Sequence, residues 1–112
     1  SNISMFYLVE TYDYFKVNFP NIKFIPCNYV EWPIHMSAQV LPVEIKKIIK
    51  EKIDQYNFED TKKINFYVDH MFEKDLWNIH GKTFISYLND LDIARNISWK
   101  ESFKDMNLNN YD

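Results

Sequence analysis

Apolar residues at positions 5, 8, 12, 15 and 19 recur at steps of three and four, so Met5, Leu8, Tyr12, Phe15 and Phe19 predict one face of a helix over residues 3–19. Pro20 and Asn21 end it, because the residue before a proline disfavours helical geometry. Residues 22–28 lean to strand, and Tyr29 and Val30 can extend it; Pro26 has no N–H to give a ladder, which makes this strand an edge or a bulged one. Residues 31–35 read as a turn, and residues 37–40 as a second extended piece. A helix then opens at Leu41-Pro42, where proline suits the first turn and Glu44 complements the positive end. Its buried stripe is Ile45, Ile48, Ile49, Ile53 and Tyr56, and Lys46, Lys47, Lys50 and Lys52 fall largely off that stripe, as a solvated face does.

Two further helices are expected. One covers residues 59–72 with Ile64, Val68 and Met71 inward, the other residues 74–94 with Leu76, Ile79, Thr83, Tyr87, Leu88 and Leu91 inward. Gly81 lies inside the second and is read as a kink or a break. Ser98 is placed to cap a short last helix over residues 99–103, with Glu101 completing a capping box, and the polar tail over residues 107–112 is expected to fray. The fold class is therefore mainly α with one or two short strands. The division is a strand-helix unit over residues 1–58 and a helical C-terminal region over residues 59–112, joined as one compact unit.

Composition narrows the function. The 112 residues make one domain at most, or part of a larger one. Apolar residues are 46% and aromatics 18%, enough for a core rich in rings; a single glycine favours helices over a succession of tight turns. A net charge of −3 without a basic block argues against nucleic acid as partner. No apolar run is long enough to span a membrane and no secretory leader pattern is visible, which gives a cytoplasmic reading with no membrane partner. Asn2-Ile3-Ser4 and Asn96-Ile97-Ser98 match the glycosylation acceptor pattern by chance on that reading. One cysteine, Cys27, excludes a disulfide framework and reads as a small buried residue.

Chemistry motifs are sparse. One glycine cannot build a phosphate loop, and no nucleophile elbow supports a triad from Ser37 and His35. Asp69, His70, Glu73 and His80 come nearest to a metal cluster, but on a straight helix the two histidines stand about 15 Å apart. No catalytic, cofactor-binding or metal residue is assigned. The group that stands out is Asn28, Glu31, Trp32 and His35, just beyond the carboxyl end of the expected strand, where ligand sites of parallel sheets and barrels gather. These four are the substrate-pocket candidates; the structural alternative is that Tyr29 and Trp32 cover the core beneath the loop.

Two segments carry a family pattern. The first is Asn28-Tyr29-Val30-Glu31-Trp32-Pro33, then Met36-Ser37-Ala38-Gln39-Val40-Leu41-Pro42 and Ile45-Lys46; the second is Phe84-Ile85-Ser86-Tyr87-Leu88-Asn89-Asp90-Leu91-Asp92, Arg95-Asn96 and Ser98-Trp99-Lys100-Glu101-Ser102-Phe103. They resemble the C-terminal part of twitch domain-containing radical S-adenosylmethionine proteins. In that family a last barrel strand runs into a Pro, Leu-Ser, Leu-Pro passage, and the chain closes with a Leu-Asp-x-x-Arg helix and a Ser-aromatic cap. The resemblance spans residues 6–103. It implies the last strand-helix unit of a partial α/β barrel, followed by a helical C-terminal region. It also implies a 4Fe-4S cluster and S-adenosylmethionine in the parent protein. This chain has no CxxxCxxC cluster motif, so it holds no cofactor itself, and Lys104-Asp105-Met106 stands where the family has an acidic Pro-Glu passage.

Two functions follow. One is a non-catalytic C-terminal portion of a radical S-adenosylmethionine enzyme, giving part of the substrate wall and a helical cover, with the upstream barrel of the same protein as partner. The other is a freestanding helical protein-interaction module without catalysis. A lone strand leaves backbone N–H and C=O groups unpaired, at roughly 1–3 kcal/mol for each one buried. The expected strand therefore needs a hairpin with residues 36–40, a self-pairing dimer, or upstream strands.

Overall fold

The computed structural model describes residues 1–21, 30–59 and 61–108. The expected strand over residues 22–29 lies outside them, and among the described residues there is no strand. The mainly helical class stands. Among the described residues six α-helices run in order: α1 Asn2–Phe6, α2 Leu8–Asn18, α3 Val43–Gln55, α4 Thr61–Glu73, α5 Trp77–Arg95 and α6 Trp99–Ser102, with short 3-10 turns at Ile34–Met36 and Lys104–Met106.

The centre of the molecule is not a helix but the loop over residues 37–42, every residue of which is buried. Residues 37–40 are not extended, as the sequence suggests, but tightly turned: Val40 N–H donates to the Ser37 carbonyl at 2.9 Å and Gln39 N–H to Ser37 Oγ at 3.2 Å. A buried loop must find partners for its backbone polar groups. Here the carbonyl of Gln39 accepts from Leu76 N–H, that of Pro42 from Lys46 N–H, and that of Val40 from Asn2 Nδ2. Val40 and Leu41 are fully buried and join Ile45, Ile49, Met71 and Phe84 in one core that draws on both halves of the chain.

The first expected helix is broken at Tyr7 into α1 and α2. Of the predicted face, Met5, Leu8 and Tyr12 pack half-buried against the core while Phe19 is exposed, and the fully buried residues are Asn2 and Phe6 of α1. The carbonyl of Phe6, at the break, accepts from Lys52 Nζ at 2.8 Å, and Asn2 Nδ2 donates to the His35 carbonyl at 3.0 Å. Anchoring α1 this way fixes its direction independently of α2, which leans on Tyr56 and Phe58 through Tyr12.

Helix α3 buries Ile45, Ile49 and Ile53 as the stripe predicts, but Ile48 is exposed and Lys46 is buried at 2% exposure. The even lysine face is thus corrected. Lys46 Nζ donates to the Lys74 carbonyl beyond α4 at 3.0 Å, which satisfies a helix-end carbonyl from below. Lys52 is half-buried against α1, and Lys50 and Asp54 form an exposed pair. Helix α4 buries Ile64, Tyr67, Val68 and Met71, in agreement with its period.

Helix α5 runs unbroken through Gly81; of the predicted face Leu88 is buried and Leu76 packs on the core, but Gly81, Phe84 and Ile85 make up the rest of the buried side. The predicted Ile79, Thr83 and Tyr87 are exposed instead. Two apolar stripes compete on this helix, and packing against the Ile34–Met36 turn and α6 selects one. Gly81 is required for a close approach, since a Cβ there would lie 2.7 Å from the Trp77 indole. α5 ends at Asn96 in the left-handed conformation, φ 51°. α6 is not capped by a Ser98 box: the Ser98 side chain makes no cap bond, and Asp92 Oδ1 accepts from Trp99 N–H at 2.7 Å. Of the expected frayed tail residues 107 and 108 are described, and Leu108 is buried.

Candidate functional site

The turn Ile34–Met36 is held from two sides, by Asn2 on the His35 carbonyl and by α5 beneath it. It leads into the buried loop, so the residues just before it start from a fixed point. Trp32, next to a cis Trp32–Pro33 peptide bond, is 84% exposed. Glu31 beside it is also exposed, and its Oε1 stands 3.9 Å from His70 Nε2 on α4, the outer limit of an ion pair. A contact at that distance, with the carboxylate in solvent, orients little by itself.

His70 is set more firmly by Gln39. The Gln39 side-chain amide donates to the His70 carbonyl at 2.9 Å, and its nitrogen stands 3.4 Å from His70 Nε2. Buried Gln39 thereby ties the central loop to the last turn of α4. Around His70 the exposed face of α4 forms an open groove of about 380 Å³, lined by Phe66, Asp69, His70, Phe72 and Glu73. Four of these fall at the i, i+3, i+4, i+7 spacing of one helix face.

The structure therefore divides the four sequence candidates. Asn28 lies outside the described residues. Glu31 comes to the groove through His70, and Trp32 precedes the turn in solvent. His35 does not join them: its ring faces Tyr87 of α5 at 5.1 Å, and its buried Nε2 has no hydrogen-bond partner among the described residues. The sequence reading missed Gln39, Phe66 and Phe72. The one available signal was the Phe66, Asp69, His70, Glu73 spacing on the outer side of the helix stripe.

Among the described residues no group of three His, Cys, Asp or Glu side chains is placed to hold an ion. No helix among them is long and apolar enough to cross a membrane. No protein-family model, curated protein or solved structure matches the chain.

Proposed function

We propose that this chain is a non-catalytic helical interaction domain that sets Trp32 and the α4 groove against another polypeptide. The observation that carries this reading is Trp32, a large ring 84% exposed immediately before a turn anchored on the core. Large exposed aromatics on a rigid support are the anchors around which protein interfaces form, and Phe66 and Phe72 add two more exposed rings on α4. The test is a photo-reactive phenylalanine analogue placed at position 32 of the protein in cells. A discrete cross-linked adduct is expected, lost when Phe66 and Phe72 are both replaced by alanine. Labelling no different from that of the same analogue at exposed Asp54 ends the reading.

A second reading has its own support. The resemblance makes the expected helix over residues 3–19 the last barrel helix of a radical S-adenosylmethionine protein; its second part, α2, buries no residue, and Tyr14, Val17 and Phe19 are exposed. In that reading the partner is the upstream barrel, which holds the cluster and S-adenosylmethionine; this chain, with one cysteine, supplies no ligand set for a cluster. An in-frame CxxxCxxC upstream in the coding sequence supports it, and a reading frame without one removes it.

A further inference from the structure

The exposed side of α5 is unlike the surface of an ordinary outer helix. Ile79 is 70% exposed and Ile93 83% exposed, and they lie on one side of the helix with Ser86 midway between them in sequence. Thr83 and Ser86, both small, leave the middle of this strip flat. Lys82 and Asp90 flank Ser86 at four residues on either side, both exposed and neither in an ion pair among the described residues.

We propose that this face pairs with the same face of a second copy of the chain, antiparallel, about a two-fold axis at Ser86. Running the helix against itself in reverse around position 86 places Ile79 opposite the partner's Ile93 and Lys82 opposite the partner's Asp90. Each contact is made twice, as a two-fold interface requires. A parallel pairing has none of this: it sets Lys82 against Lys82 and Asp90 against Asp90. The charge pattern, complementary to itself only in reverse, is what selects a second copy over an unrelated partner. A strip one helix wide covers less than the roughly 800 Å² per partner of a standard interface, so the pair is weak and depends on concentration. This inference uses neither Trp32 nor the α4 groove and stands or falls separately from the proposed function.

Sedimentation equilibrium of the full chain, from micromolar to millimolar, is expected to show a monomer–dimer equilibrium. Ile93→Asp and Lys82→Glu each weaken it tenfold or more with the helical circular dichroism unchanged. The swap Lys82→Glu with Asp90→Lys restores it to within about threefold, since the reversed charges again meet. In a Cys27→Ser background, Ser86→Cys oxidises to a disulfide-linked dimer, whereas Ile79→Cys does so only when mixed with Ile93→Cys. A monomer at every concentration, a dimer indifferent to Lys82→Glu, or a ready Ile79→Cys homodimer would each overturn the proposal.

Discussion

The ammonium of Lys52 donates to the Phe6 carbonyl at 2.8 Å and lies 4.2 Å from the centre of the same residue's ring. One side chain of α3 thus holds both the backbone and the ring of the last residue of α1, at the point where the sequence pattern would have continued a single helix. Glu10 completes the contact at 2.6 Å from the ammonium.

Lys52→Met is expected to destabilise the fold by about 2 kcal/mol, the sum of a charge-assisted hydrogen bond and a cation–π contact. Glu10→Gln, which removes only the exposed end of the contact, is expected to change stability by less than about 0.5 kcal/mol. Urea denaturation of the two variants separates these effects, and equal losses would show that the Phe6 contacts are not the stabilising ones.

At Gly81 the expected effect depends on a neighbour. Gly81→Ala improves helix propensity by about 1 kcal/mol, but the new Cβ meets the Trp77 ring at 2.7–2.9 Å and displaces it. The net result in the native background is a loss of about 1 kcal/mol or more. In a Trp77→Ala background the same change is expected to stabilise. A double-mutant cycle by thermal unfolding reads the difference of sign.

Lys46 gives a pH dependence. Burial pulls its ammonium below the ordinary lysine range, against an opposing pull from Asp75. A lysine whose folded value is depressed binds fewer protons folded than unfolded. Stability therefore rises with pH from the folded value up to the ordinary lysine value near 10.5. Tyr7 and Tyr56 act oppositely above about 10, because burial first, with nearby acids, raises both. The measurement is the difference between native protein and Lys46→Met across the alkaline range: the variant is expected to lack the rise and keep the tyrosine decline.

For α6, Asp92→Ala is expected to cost about 1 kcal/mol through loss of the bond to Trp99 N–H, the usual effect of removing a cap. Ser98→Ala is expected to be nearly silent, since its hydroxyl caps nothing. Near-ultraviolet circular dichroism of Trp99, whose indole N–H donates to Asn89 at 2.8 Å, follows the loosening. A larger loss from Ser98→Ala than from Asp92→Ala would reverse the assignment.

Of the candidate site, the sequence marked Glu31, Trp32 and His35, with Asn28, because polar and aromatic residues stand just beyond the carboxyl end of the expected strand. It had no way to send them apart. Glu31 goes to His70 and His35 to Tyr87, contacts across 39 and 52 positions of chain that no local pattern encodes. Asp69, His70 and Glu73 were visible as neighbours on a helix, but the groove exists only once Phe66 and Phe72 are known to face outward.

The helices themselves were fixed by the chain's own rhythm. The α3 and α4 stripes, the proline at the start of α3 and the near-absence of glycine act within a few residues, and local sterics and periodic burial suffice to read them. What only tertiary structure decided is where two answers were locally equivalent. The break at Tyr7 follows from Lys52 capturing a distant carbonyl, and the burial of Lys46 from a helix end lying over it. The inward face of α5 was chosen between two apolar stripes by the turn and helix that pack on it. A period specifies that a face is buried, but the energy that picks which face comes from partners far along the chain.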